Sequence, residues 1–555
     1  MPRPHPDPAA CPDTAAAPDA PATKQPVLPA AILSPRALVA RDALLAAALL
    51  GITADPLLRN GPWGIGLLIW MLQFAAIVVA LVRRDGRPLS REGRIWLGIA
   101  VLFAGGLSWR DSGLLHFFDV LAMLSALVLL AMSIDAIPVP GLVAARIRDL
   151  IRAAFGTGIS VAVGAVPLLL ADAELHAAPR PSGEVGIRRI GKAVLIAAPV
   201  FVVFALLLGN ADPVFGSLVT IPDFRIDVAL SHVIIAGFFA WVTAGWLRRS
   251  LLAQPASAGA PATPLPFTVG ATDVTFALGA LNALFAAFVI VQIGWLFGGE
   301  ALVLRTTGLG YAEYARRGFF ELMWVAGLLL PVLLGAHALI PDSDSRALRL
   351  YRRLAIPLVV LLGAILVSAG ARMKLYVHYY GISTDRLYAS AVMIWLVIVF
   401  AWLAFTVLRS RPRTFATGLV TSAFAVLFAL NVLNPDALVA RSNLARDAAV
   451  PANGAGTDLR YVATLGGDAV PMVVSALTAP GGVGDKVAAS DRCTAAATLL
   501  HRWSEEGRAG GYQSWTQWNV ARARAMRAVN AHEAELRQLA CTRTTTEVIT
   551  LPASP

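Results

Sequence analysis

The sequence predicts an all-α polytopic transmembrane helix bundle of about eleven spans with a small C-terminal extracytoplasmic helical domain, and three observations predict it. Apolar runs about twenty residues long recur through the first 433 residues, long enough to cross about 30 Å of hydrocarbon. Short arginine-bearing turns separate them. Of the 555 residues, 57% are hydrophobic and only 15% charged, with a mean hydropathy of +0.67, and that much apolar surface has to face lipid.

The chain falls into three parts. Residues 1–36, rich in Pro and Ala, lack a basic region followed by an apolar core and a small-residue cleavage site. They are read as a disordered cytosolic lead, since such composition buries too little apolar area to offset its ordering entropy. Residues 37–433 hold the spans: 38–58, 62–82, 95–109, 113–132, 193–209, 226–247, 274–297, 320–340, 355–371, 387–408 and 415–433. The run 156–170 breaks the pattern, being short, interrupted by Gly158, Gly164 and Pro167, and basic on both flanks. It is expected to be a re-entrant or interfacial helix. Residues 434–555 return to soluble composition, with helical patterns over 494–507 and 520–540.

Orientation follows from the preference of Lys and Arg for cytoplasmic loops. The arginines of 83–94, 144–152, 248–249, 346–353 and 409–413 all fall on one side when the spans are counted in turn. That predicts a cytosolic N-terminus and a tail outside, in a cell membrane. The formal charge of +11 sits in these turns rather than on one face, so nucleic acid is not an expected partner. The bilayer is the expected partner, and the tail is a candidate surface for an envelope protein.

Only three cysteines occur, so thiolate metal centres are not expected. An antiparallel pair of tail helices brings the start of the first beside the end of the second. Cys493 and Cys541 occupy those places, which makes a disulfide one reading in an oxidising compartment and two unrelated thiols the other.

The strings Ala277-Leu278-Gly279-Ala280-Leu281-Asn282-Ala283-Leu284-Phe285, Tyr380-Gly381-Ile382-Ser383-Thr384-Asp385-Arg386-Leu387-Tyr388 and Leu433-Asn434-Pro435-Asp436-Ala437 follow one another along the chain. Asp468-Ala469-Val470-Pro471 and Trp515-Thr516-Gln517-Trp518-Asn519-Val520-Ala521-Arg522-Ala523 complete the set. In this order the chain resembles the bacterial multi-pass membrane family known as domain of unknown function 4173. The resemblance implies a polytopic bacterial membrane protein with no assigned activity, and it transfers no catalytic or ligand residue.

Polar residues of the spans gather toward the outer side. His116, Asp119, His232, Gln292, Glu321 and Asn431 lie near outer helix ends, and Asp212, Asp385 and Asp436 at outer loops or junctions. Ionisable groups inside a membrane cost about 2.5 to 3.5 kcal/mol at its centre, so they usually face a cavity or a partner. Asp119 is the sharpest case, either a hydrated or paired carboxyl or a functional group. Glu313, Arg316, Arg317, Glu321, Arg372 and Lys374 form with it a candidate polar or anion site, because these cations stand on the side that the orientation rule disfavours. Mutual pairing with carboxylates is the competing reading. Tyr311, Tyr314, Tyr376, Tyr379, Tyr380 and Tyr388 crowd the same outer boundary, and most of them read as interfacial anchors.

No phosphate-binding loop, zinc-binding His pair or Ser nucleophile elbow is present, and no cofactor is implied. Three roles remain: a non-enzymatic transporter-like or receptor-like envelope protein, a membrane transferase or hydrolase with Asp119, Glu321 or a histidine as base, or a scaffold acting through the tail.

Overall fold

The computed structural model describes residues 34–86, 89–134, 147–173, 226–252, 270–307, 319–341, 343–409, 414–448, 458–482, 487–504 and 514–541. The lead 1–33, the candidate span 193–209 and Asp212, Tyr311, Glu313, Tyr314, Arg316 and Arg317 lie outside them. The described residues from Leu38 onward form one compact unit that includes both the spans and the tail.

No strand occurs among the described residues. The long helices are α1 (Pro35–Leu58), α2 (Ile65–Arg84), α3 (Arg91–Trp109), α4 (Gly113–Ile134), α5 (Ile147–Val163), α6 (Ile226–Leu251), α7 (Ala271–Thr307), α8 (Phe319–Leu339), α9 (Ser345–Tyr380), α10 (Thr384–Thr406) and α11 (Phe415–Leu433). Nine of them are long and apolar enough to cross a membrane, and ten if the bent α5 segment counts as one. The chain is therefore a membrane-embedded helical bundle. Helix α3 falls below that apolar measure because Arg91, Glu92 and Arg94 occupy its first turn. It nevertheless runs the same course as its partner α4, since Gly93 faces Ser133 at one end and Gly106 faces Asp119 at the other.

The helix ends define two faces. On the arginine face, Arg84 at the end of α2 pairs with Asp42 of α1 at 3.1 Å, and α6 ends in Arg248 and Arg249. On the opposite face, the backbone N–H of Ile65 donates to the Trp518 carbonyl of the tail at 2.9 Å, and Thr384 donates to Tyr461 Oη at 2.9 Å.

The bend in α5 has a local cause. At Gly164 a Cβ would stand 3.1 Å from Gly245 Cα of α6, so the two glycines let the backbones touch, and the helix turns by 51° there before ending at Asp172. Asp172 accepts from Arg248 at 2.6 Å and Arg41 reaches the Ala173 carbonyl at 3.1 Å. The segment thus ends on the arginine face, the face on which α4 also ends. The 51° break makes the segment either a broken span or a re-entrant loop.

The tail folds as α12 (Pro435–Leu444), α13 (Leu459–Thr464), α14 (Val470–Thr478), α15 (Ala489–Trp503), α16 (Val520–Ala531) and α17 (Glu533–Leu539). The sequence pattern over 520–540 is thus two helices broken at His532, and the three helices before α15 had no clear periodic signal. A core of Val439, Leu459, Val473, Leu499, Trp503, Ala525 and Leu536 holds them together. Cys493 and Cys541 are joined as a disulfide with Cα atoms 4.9 Å apart, closing 48 residues between α15 and the end of α17.

Candidate polar site between bundle and tail

The site is built where α3 ends. An α-helix leaves its last carbonyls without partners, and these must find donors. Asn519 supplies them from the tail: its Nδ2 donates to the Leu107 carbonyl at 2.6 Å and the Arg110 carbonyl at 2.5 Å. The same side chain caps α16, its Oδ1 accepting from the backbone N–H groups of Ala521 and Arg522. One fully buried asparagine thus closes the end of one helix and the start of another.

Around it lies a chain of buried charges. Arg522 donates from Nε to Asp111 Oδ1 at 2.8 Å and from Nη1 to the Gln517 and Pro62 carbonyls. Asp111 Oδ2 accepts from the Gly467 N–H at 3.0 Å. Arg110 stacks over the Trp109 ring at 3.8 Å, donates to the Asn431 carbonyl at 2.7 Å and reaches Asp468 at 3.3 Å. Asp468 accepts in addition from the Asp111 N–H and from Asn434 Nδ2, each at 2.9 Å.

Asn434 is positioned by an exceptional backbone. It ends α11 at φ 56°, in the left-handed region that asparagine tolerates better than most residues, and Pro435 then opens α12. Asp436, in that first turn, accepts from the Gly466 N–H at 2.9 Å and from Ser112 at 3.4 Å. Burial pushes its carboxyl up to about 6; the Gly466 bond opposes the shift, and the nearby charges of Asp468 and Asp111 add to it. Two arginines face three aspartates, and Asp436 is the one with no guanidinium.

One step deeper, Asp119 and Asn431 meet between α4 and α11. Asn431 Nδ2 donates to Asp119 Oδ1 at 2.7 Å and to the Leu427 carbonyl at 3.2 Å. Asp119 is fully buried, and among the described residues its Oδ2 and the Asn431 Oδ1 have no hydrogen-bond partner.

The residues expected to form one site divide into separate places. Arg372 donates to Gln292 at 2.7 Å, which also accepts from Ser368, on helices α9 and α7, a cluster distinct from that of Asp119. Glu321, Lys374 and Asp385 are exposed. His116 contacts the Arg110 carbonyl through Nε2 at 2.7 Å, and His232 meets Asp55 of α1 at 2.5 Å, both structural contacts. Tyr388 is buried, 5% exposed, with its hydroxyl 3.3 Å from Ser112. Arg110, Asp111, Asp468, Asn519 and Arg522 were missed as site residues. Arg110 and Asp111 follow a span end at which arginine reads as a stray loop charge, whereas Asp468, Asn519 and Arg522 stood in the motif strings without an assigned role.

Among the described residues, no group of three or more His, Cys, Asp or Glu side chains is placed to hold a metal ion. A family model, described as a domain of unknown function (DUF4153), matches residues 97–476. The expectation of an uncharacterised family stands, but the named family is corrected, because the model that matches is this one and not domain of unknown function 4173. The matched region takes in Arg110, Asp111, Asp119, Asn431, Asp436 and Asp468 and ends before Asn519 and Arg522. No curated protein and no solved structure matches the chain.

Proposed function

The chain belongs to the DUF4153 family, a domain of unknown function, and we propose that it is a receptor-like protein of the bacterial inner membrane, non-enzymatic, with its tail outside the cytosol. The observation that carries this reading is the charged network of Arg110, Asp111, Asp468 and Arg522, which ties the tail to the α3–α4 turn of the bundle. A partner or ligand that moves the tail must then move the ends of α3, α4 and α11.

The orientation draws on the arginines collected on the face opposite the tail, and on a tail disulfide suited to an oxidising compartment. The tail also offers a groove of about 370 Å³ lined by Pro471, Val474, Ser475, Thr478, Ala528, His532 and Glu535, a surface an envelope partner or small ligand could enter. Asp119 has no exposed surface, so as a general base it would have no route to substrate in this conformation. That removes Asp119 as a base and leaves the enzyme reading to the exposed Glu321 or a histidine.

Complementation of a strain lacking the gene tests the proposal. The full chain is expected to restore the envelope phenotype, and the bundle and tail expressed as separate chains are not. Restoration by residues 1–441 alone would return the role to the bundle as a transporter-like protein. Restoration by the tail alone would make it a scaffold. A reporter fused after Arg441 should be active only outside the cytosol, and cytosolic activity would overturn the orientation.

A further inference from the structure

We propose that Asp119 and Asn431 form a proton-binding site within the bundle, with Asp119 held as a neutral carboxylic acid hydrogen-bonded to the Asn431 amide. The inference goes beyond the receptor reading and does not depend on it.

An ionised carboxylate offers acceptors only, and an amide offers one acceptor and two donors. Here both donors of Asn431 are used, one on Asp119 Oδ1 and one on the Leu427 carbonyl. Two buried acceptors are left over, Asp119 Oδ2 and Asn431 Oδ1. They lie beside the same point of α3, since a Cβ built on Gly106 would be 2.7 Å from the first and 3.0 Å from the second. A single proton on Asp119 Oδ2 supplies the missing donor. It completes a ring in which the amide N–H bonds one carboxyl oxygen and the carboxyl O–H bonds the amide oxygen.

Among the described residues, the charged neighbours leave the carboxyl without a counter-ion. Arg110 at the end of α3 is committed to Asp468 and the Asn431 carbonyl. On α4 itself, His116 contacts the Arg110 carbonyl. On α6, His232 is bound to Asp55. From α10, Tyr388 turns its hydroxyl to Ser112, and in α12 Asp436 bonds Gly466 and Ser112. A buried carboxylate with one amide donor and no cation is costly, and taking up a proton removes that cost. A sodium ion would need a full shell of oxygens, whereas two unpartnered acceptors converge here.

Gly106 completes the site. Any side chain there would occupy the space into which the carboxyl and amide oxygens point. Loss of the proton would set two acceptors against each other between α4 and α11, directly below the joint with the tail. Proton uptake is thus a means of coupling the bundle interior to the tail.

Infrared difference spectroscopy of the purified full-length protein tests the assignment. The spectrum of wild type minus Asp119→Asn at pH 7 is expected to contain the carbonyl stretch of a protonated carboxylic acid, unchanged when sodium is replaced by a bulky organic cation. Asp119→Asn itself should fold and assemble normally, because its amide N–H replaces the carboxyl O–H in the ring. Carboxylate bands at pH 7 would overturn the proposal, as would conversion from acid to carboxylate on adding sodium, which would assign the site to a metal ion. Should Asp119→Asn not accumulate, Asn431→Asp provides the comparison: the acid-type band at Asp119 must shift when its amide partner is replaced, and an unmoved band would also overturn the proposal.

Discussion

Arg522 of α16 places its guanidinium Nε 2.8 Å from Asp111 Oδ1 at the α3–α4 turn, and the arginine is 2% exposed. Pairs this deep are expensive to assemble and more expensive to break, because the surviving partner keeps its charge without compensation.

Substitution of Arg522 by Ala is therefore expected to cost about 3–5 kcal/mol, seen as a lower unfolding midpoint of the full chain in detergent. Arg522→Lys should recover little of it. A lysine keeps the charge but cannot serve Asp111 and the Pro62 and Gln517 carbonyls together. An unchanged midpoint in either variant would show that the pair does not hold the tail.

Asp436 gives a pH dependence of definite sign. Its carboxyl is raised from 3.8 to about 6 in the folded protein, so between those values the folded state holds a proton that the unfolded state has released. The contribution to stability is complete below about pH 4 and is lost as pH rises through about 6, on the order of 3 kcal/mol in all. Thermal midpoints of wild type should fall from pH 5 to pH 7 relative to Asp436→Asn. Parallel pH profiles for the two proteins would contradict this.

The membrane bundle was legible in sequence because lipid imposes one simple demand, long apolar helices, and the arginine turns report one face. Asp119 was legible for the converse reason, as a charge where charges are costly. The joint with the tail was not, because each of its members is ordinary on its own. Asn519 reads as a helix cap and Arg522 as a solvated helix residue until the end of α3, some four hundred residues earlier, is placed against them. Periodicity likewise says nothing of short tail helices such as α13 and α14, which are fixed by the shared core of Leu459, Val462, Val473 and Leu477 rather than by local pattern.

Gly466 is a close approach of tail to bundle. A Cβ there would lie 1.6 Å from the Asp111 carbonyl oxygen and 2.5 Å from Asp436 Oδ2. Gly466→Ala is expected to displace the Asp111 turn and to destabilise as strongly as loss of Arg522. Gly98→Ala, where nothing lies within 4 Å, should be neutral or slightly stabilising. Equal midpoints for the two variants would mean that the tail rests on the bundle more loosely than this contact implies.

The Cys493–Cys541 link closes 48 residues, and restricting a loop of that size in the unfolded chain is worth about 4 kcal/mol on the entropic model. The link fastens α15 to the end of α17 but makes no contact with Asp111 or Asp468. Reduction of the full chain should therefore lower the unfolding midpoint of the tail while leaving proteolytic protection of the α3–α4 turn unchanged at low temperature. Cys493→Ser combined with Cys541→Ser should behave as the reduced protein does. Alkylation followed by mass measurement supplies the check: two additional thiols should label only after reduction, and equal labelling before and after would show that the cysteines are not paired in the membrane-embedded protein.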